Sequence, residues 1–152
     1  MIKINVLTEE KLWTKKLKKK EEFFNKICKF FPKKFKFLNK KVFVTLLLSN
    51  NKNIKILNKK FRNKNKHTDI LSFPLERKMK NSKEIYLGDI IISYEYMYKL
   101  NDLKKNFEEN TAKIFIHGFL HLLGYDHIKD KDYKIMLQAE NKIFKSISKI
   151  LN

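Results

Sequence analysis

Three histidines in the C-terminal third of the chain have the spacing of a metal site. His117 and His121 are four residues apart, so on a helix both imidazoles lie on the same face. Gly124 can adopt the left-handed conformation that ends a helix and reverses the chain, which would bring His127 round to face the other two. Three imidazoles with a fourth position left for water form the ligand set of a catalytic zinc site. The sequence therefore predicts one zinc ion on these residues, although imidazoles also accept nickel, copper or iron.

The residue after the first histidine limits the chemistry of this site. The spacing is that of the H-x-x-x-H-x-x-G-x-x-H frame of metzincin metalloproteases, which carry Glu directly after the first histidine as the catalytic base. Here that position is Gly118. The metal frame is present and the peptidase base is missing, so a metzincin-like hydrolase acting on peptides is the less favoured alternative.

Length and composition indicate a single cytoplasmic domain over residues 1–152. Cys28 is the one cysteine in the chain, so an internal disulfide is excluded. The N-terminus has no secretory signal pattern. The longest apolar run, Val42 to Leu48, is far shorter than the roughly 20 residues of a membrane span, so no membrane association is expected.

The net charge of +19 favours a polyanionic partner, and nucleic acid is the usual one. A lysine-rich, alanine-poor composition is also what an AT-rich genome produces, so the placement of the charge matters more than its total. Between Asn51 and Lys66 there are seven basic residues and no acidic one. We predict nucleic-acid contacts in this stretch from Lys59, Lys60, Arg62, Lys64 and Lys66.

The pattern of apolar residues predicts an α+β fold. It indicates a small mixed sheet of three or four strands packed with about five helices. The helix with the histidines is expected at the centre, since it is apolar on more than one side. The predicted strands are Met1–Val6, Lys41–Leu48, Ile70–Phe73 and Ile85–Ser93; a single helix is predicted over Glu9–Phe31, and a polar loop over Glu76–Lys83.

Several single positions carry local predictions. Gly88, inside a strand, indicates a bulge or a close backbone approach. Glu108 and Glu109 suit a helix start, and Asp130 can cap the last helix. Phe61 could stack a nucleic-acid base, but its place on an apolar stripe favours core packing. Glu140 falls on the apolar stripe of the last helix, where a carboxylate needs a hydrogen-bond or ion-pair partner.

Three separated segments resemble the YbeY endoribonucleases. The first runs from Leu57-Asn58 and Phe61-Arg62 to Thr68-Asp69-Ile70-Leu71-Ser72-Phe73-Pro74. The second is Leu87-Gly88-Asp89-Ile90-Ile91-Ile92-Ser93, and the third is the histidine stretch from His117 to His127. Together they cover roughly residues 42 to 140. His67 departs from the family, which often has proline before Thr-Asp, and we expect the loop merely to tolerate it.

The resemblance implies a zinc-dependent, single-strand-specific endoribonuclease. Such an enzyme would act in 3′-end maturation of small-subunit (16S) ribosomal RNA and in ribosome quality control. Its zinc ligands would be His117, His121 and His127, and Arg62 and His117 would be the catalytic residues. Asp126 would either orient an imidazole or stabilise the turn. A non-catalytic ribosome-assembly factor with a structural metal is a further alternative.

Overall fold

A four-stranded mixed sheet forms the framework of the structure. The computed structural model describes residues 1–75, 82–100 and 104–151, without the side chains at 99, 100 and 104–106. Its strands are β1 (Ile2–Thr8), β2 (Lys41–Ser49), β3 (Ile70–Pro74) and β4 (Glu84–Ser93), in the order β1-β2-β4-β3. β2 is parallel to both β1 and β4, whereas β3 is antiparallel to β4. β3 is therefore an edge strand, and the predicted number of strands is confirmed.

Six α-helices accompany the sheet in the described part of the chain. They are α1 (Leu12–Lys16), α2 (Lys20–Lys29), α3 (Asn51–Arg62), α4 (Tyr94–Leu100), α5 (Lys104–Leu122) and α6 (Asp130–Ile147). Short 3-10 turns lie at Lys33–Phe35 and Ser148–Ile150. The α+β class is confirmed, with one helix more than the approximate number predicted. No helix among the described residues is both long enough and apolar enough to cross a membrane.

Helix α5 lies at the centre of the core, as the sequence predicted. Phe115 and Phe119 are fully buried, and their rings pack against Phe24 of α2 and Phe31 just after it, with centroid distances of 5.1 and 5.3 Å. Burial of each large apolar side chain contributes roughly 1.5–3 kcal/mol. α5 thus packs against α2 on one side, and it also contacts β3 and β4 of the sheet.

The prediction of one helix over Glu9–Phe31 is wrong, because the chain breaks between α1 and α2. Leu17 is extended at φ −125° and ψ 92°, which ends α1. Trp13 is fully buried, and its indole N–H donates to the carbonyl oxygen of Ser49 at 2.9 Å. Trp13 thus ties α1 to the end of β2, and the apolar periodicity continues on both sides of the break, so it does not reveal the break.

Two predicted helix starts also need correction. α5 begins at Lys104, so Glu108 and Glu109 lie in its second turn. Asp130 is the first residue of α6 rather than its cap, and Lys129 takes the cap position. Asp130 still lies in the first turn, where a negative charge interacts favourably with the helix dipole.

Gly88 produces both features predicted for it. Phe43 of β2 pairs with Tyr86 and Val44 pairs with Gly88, so the register shifts by one residue at this point of β4. Gly88 has φ +138°, and a β-carbon there would lie 2.2 Å from the carbonyl oxygen of Phe73. Only glycine fits where β3 and β4 approach so closely. Residues 76–81 of the predicted polar loop lie outside the described part of the chain.

Candidate metal centre

The end of α5 and the turn after it bring three histidines together. The helix ends at Leu122, and Gly124 takes φ +97°. The N–H of Tyr125 donates to the carbonyl oxygen of Leu120 at 3.1 Å, which closes the turn. The chain then reverses, and His127 comes to face the two histidines of α5. The left-handed glycine that the sequence predicted is confirmed.

The imidazoles are close enough to share one ion. The Nε2 atoms of His117 and His121 are 3.0 Å apart, and a set of ligand atoms from His117, His121 and His127 lies within 4.8 Å. Zn–N bonds of about 2.0–2.1 Å at tetrahedral angles place the nitrogens about 3.4 Å apart. The arrangement therefore fits a metal ion held by three imidazoles, with small side-chain movements on binding.

Two partners outside the cluster orient the imidazoles of α5. Nδ1 of His117 lies 2.9 Å from Oε1 of Glu140 in α6, and Nδ1 of His121 lies 2.8 Å from the carbonyl oxygen of Tyr125. A carbonyl oxygen or an ionised carboxylate can only accept, so in both rings Nδ1 carries the proton. That tautomer leaves the lone pair on Nε2, which points to the centre of the cluster.

The partner predicted for Glu140 is thus His117. Sequence reasoning placed the carboxylate on the apolar stripe of α6 but missed that it supports a candidate metal ligand. The signal was a single acidic residue on that stripe, and only the packing of α6 against α5 shows which group it meets. The carboxylate adds negative charge close to the imidazoles, which favours a cation bound to them.

Asp126 contributes to the turn. One of its carboxylate oxygens accepts the backbone N–H of His127 at 2.7 Å. Of the two alternatives from the sequence, this contact corresponds to stabilisation of the turn. It fixes the backbone that carries the third histidine.

The electrostatics favour the neutral, ligand form of His121. Burial lowers the pKa of His121, the neighbouring charges of His117 and His127 act in the same direction, and the hydrogen bond to Tyr125 opposes them. A metal ion binds only the neutral imidazole. The surroundings therefore keep His121 in its metal-binding state to a lower pH than for a solvated histidine.

Gly118 lies on the face of α5 that packs against the sheet. A β-carbon at this position would lie 2.5 Å from Cδ1 of Ile70 and 3.0 Å from Oγ of Ser72. Ser72 also donates its hydroxyl to the carbonyl oxygen of Gly118 at 3.2 Å. A glutamate at position 118 would therefore require the side chains of Ile70 and Ser72 on β3 to shift, so the present packing favours glycine there.

Arg62, the last residue of α3, packs against the edge strand β3. Its Nη2 donates to the carbonyl oxygen of Ser72 at 2.9 Å, and its guanidinium lies 5.7 Å from the ring centroid of Phe73. Ser72 in turn bonds to Gly118, the residue next to His117. Arg62 therefore contacts β3, and β3 in turn contacts the histidine helix.

The predicted basic stretch is an exposed surface. Lys59, Lys60, Lys64 and Lys66 are all exposed along the end of α3 and the loop after it. Phe61 is 59% exposed, with Nζ of Lys60 5.3 Å from its ring centroid. The prediction that Phe61 packs in the core is wrong, because the sheet ends at β3 and Phe73 covers only one edge of the ring.

His67 has a partner that the sequence did not indicate. Its Nδ1 lies 2.9 Å from the hydroxyl of Tyr96, and the two rings meet edge to face. Tyr96 lines a cavity of about 440 Å³ that also reaches His117 and Glu140. A second cavity of about 220 Å³ lies on the other side of the same two residues, towards Tyr133. The candidate metal centre thus has a pocket on each side.

Fold and site together define a class of α+β proteins with three imidazoles clustered on a helix and its following turn, an arrangement that could hold a metal ion. The sequence model described as Endoribonuclease YbeY matches residues 5–148. The chain belongs to the YbeY family, so the resemblance drawn from its motifs is confirmed.

Individual relatives match nearly the whole chain. The chain is 60% identical over 148 residues to the protein named Endoribonuclease YbeY of Pelagibacter ubique, covering 97% of each. It is 35% identical to the protein of the same name from Ehrlichia canis, over 94% of this chain and 90% of the other. A solution structure of a Thermotoga maritima protein matches with a TM-score of 0.54 and 31% identity, over 97% of this chain and 89% of that one.

Proposed function

We propose that the protein is a zinc-dependent, single-strand-specific endoribonuclease that matures the 3′ end of small-subunit ribosomal RNA and serves ribosome quality control in the cytoplasm. One observation carries the proposal: in a member of the YbeY family, three imidazoles lie within 4.8 Å of one another, and outside partners turn two of them inward. Three protein ligands leave a coordination position open, which is typical of catalytic rather than structural zinc.

His117, His121 and His127 would hold the zinc ion. A zinc ion in such a site acts as a Lewis acid that lowers the pKa of water or polarises a phosphoryl oxygen. Both nitrogens of His117 are engaged, Nδ1 with Glu140 and Nε2 with the cluster. His117 would therefore contribute to catalysis by holding the ion and not by transferring a proton to or from the substrate.

Arg62 would bind the phosphate group of the substrate. Cleavage of a phosphodiester builds negative charge on the phosphoryl oxygens, and a planar guanidinium complements this charge with two parallel hydrogen bonds. Arginine has five N–H donors, so the bond to Ser72 leaves several for a phosphate. That bond and the ring of Phe73 fix the direction in which the guanidinium faces.

The exposed lysines of the α3 end would hold the RNA strand. Lys59, Lys60, Lys64 and Lys66 offer positive charge without base-specific geometry, which gives affinity that is independent of sequence and falls with salt. Single-stranded ribosomal RNA on the small subunit fits this surface. Binding that does not weaken when the salt concentration is raised from about 50 to about 200 mM would contradict this role of the lysines.

A cleavage assay tests the proposal against its alternatives. Metal-loaded protein is incubated with denatured ribosomal RNA or with casein, with and without a chelator. We expect RNA fragments only, and only without chelator. His121→Ala should lose the metal and the cleavage, whereas Arg62→Ala should keep the metal and lose the cleavage.

Each alternative gives a different pattern. Casein fragments would indicate the metallohydrolase acting on peptides. Retained zinc without RNA cleavage in the wild type would indicate the assembly factor with a structural metal. Full RNA cleavage by Arg62→Ala would remove Arg62 from the mechanism.

A further inference from the structure

The larger pocket beside the metal centre contains polar groups to which the proposed function gives no role. It has a volume of about 440 Å³ and lies where β3, α4, α5 and α6 meet. Its polar lining consists of Asp69, Tyr96, Asn110, Lys113, His117 and Glu140. Because it shares His117 and Glu140 with the candidate metal centre, a molecule in this pocket would lie directly beside the ion.

Asn110 belongs to this lining, and its side-chain amide has an unsatisfied hydrogen-bond donor just beneath the pocket surface. Its Nδ2 is buried and has no hydrogen-bond partner in the part of the chain that the structure describes. A buried amide without a partner costs free energy, so such groups usually meet a ligand or an ordered water. Asn110 is seven residues before His117, which places both on one face of α5, about 10 Å apart along the helix.

The other walls combine apolar surface with charge at the rim. Met97 and Ile114 line the apolar part. The ring of Tyr96 is held by the hydrogen bond of its hydroxyl with His67. Lys113 is exposed, with Nζ 4.7 Å from the ring centroid of Phe144 on α6. The pocket thus combines the ring of Tyr96 and apolar side chains with the amide of Asn110 in its wall and the ammonium group of Lys113 at its edge.

We propose that this pocket binds the base of the RNA nucleotide next to the phosphodiester at the metal centre, with the Asn110 side chain turning to donate to the base and Lys113 contacting the backbone. The proposal rests on the proposed function. The carboxylates of Asp69 and Glu140 disfavour a phosphate inside the pocket, whereas a base is planar, uncharged and rich in edge acceptors. All four bases carry acceptors, so the pocket holds any of them and does not impose a strict sequence.

Nuclear magnetic resonance of the zinc-loaded, 15N-labelled full chain tests this placement. Uridine and adenosine 5′-monophosphates serve as probes. The side-chain amide signals of Asn110 should shift on titration. Those of Asn25 should not, because its Nδ2 already donates to the carbonyl oxygens of Ile4 and Glu21. Asn110 signals that stay unmoved at millimolar nucleotide would overturn the inference.

Substitution gives an independent measurement. Asn110→Leu keeps a similar volume and removes the donor, so the Kd of the nucleotides should rise about three- to tenfold. The Tm should hold or increase, since an unsatisfied buried amide is lost. Asn141→Leu, at an exposed position of α6, is the matched control and should leave the Kd unchanged. Wild-type affinity in Asn110→Leu, or in Asn110→Ala if the leucine variant does not fold, would overturn the proposal.

These experiments distinguish a failure of the pocket inference from a failure of the proposed function. A wild type that cleaves RNA while the Asn110 signals stay unmoved would remove the pocket inference alone. Shifts of Asn110 with both nucleotides in a protein that does not cleave RNA would overturn the endoribonuclease proposal and leave a nucleotide site.

Discussion

The hydrogen bond between His117 and Glu140 allows a direct test of how the candidate metal centre is supported. Glu140→Gln keeps the shape of the side chain and an acceptor oxygen but removes the negative charge. The 2.9 Å contact should then survive as a neutral hydrogen bond. We expect a zinc affinity below that of the wild type, because the site loses a negative charge that compensates the charge of the ion.

The size of the effect follows from the environment of the pair. The side chains of His117 and Glu140 are 26% and 28% exposed, so water screens the contact only in part. Charged hydrogen bonds contribute about 1.5–3 kcal/mol and neutral ones about 0.5–1.5 kcal/mol. The difference corresponds to roughly a tenfold loss of zinc affinity in Glu140→Gln, and Glu140→Ala should approach a hundredfold loss.

Competition with a chromophoric chelator measures this loss at constant pH. Glu84→Gln is the matched control. Glu84 forms a 3.8 Å ion pair with Lys41 on the sheet, with the two side chains 64% and 65% exposed, and its loss should leave zinc affinity unchanged. Equal zinc affinity of Glu140→Gln and the wild type would refute the role assigned to the carboxylate.

Three further predictions concern the RNA surface, the glycines and the cysteine. Phe61→Ala should weaken single-stranded RNA binding about fivefold or more in an anisotropy titration, because an exposed aromatic ring can stack on a base. Ile56→Ala, at an equally exposed position of α3, should leave binding unchanged. Equal losses of affinity in the two variants would refute stacking. Gly88→Ala should lower the free energy of unfolding in urea by at least about 2 kcal/mol, because the new β-carbon meets backbone atoms. Gly124→Ala should lower it by about 1–2 kcal/mol, because nothing lies within 4 Å of the new β-carbon. Equal losses in the two variants would contradict this reasoning. Burial raises the pKa of the Cys28 thiol, so iodoacetamide at pH 8 should leave the folded protein unmodified by mass spectrometry and alkylate it once in urea.

The histidine cluster could be predicted from the sequence because its geometry is local. The i, i+4 spacing of His117 and His121 on α5 and the left-handed Gly124 fix the three imidazoles within eleven residues. The strands could also be predicted from the sequence, because buried strands of a largely parallel sheet are continuous apolar runs. Gly88 was informative because a strand rarely contains glycine without a geometric need.

The remaining features depend on contacts between distant segments. Glu140 lies 23 residues beyond His117, and its role follows from how α6 packs on α5. Phe61 continues an apolar stripe, but the sheet ends at β3, which periodicity alone does not reveal. The break before α2 accompanies the hydrogen bond of Trp13 to Ser49 at the end of β2, a contact across 36 residues that periodicity does not reveal.

The packing of Gly118 also bears on how this scaffold can evolve. One base change in a glycine codon can produce glutamate, so the residue that separates this site from the metzincin pattern is a short mutational step away. A side chain at position 118 would meet Cδ1 of Ile70 and Oγ of Ser72, so these side chains would have to shift to make room for it. Ile70 and Ser72 lie on β3, which also carries the contacts of Arg62. The barrier between the two sequence patterns therefore includes a repacking of α5 against β3 as well as the single mutation.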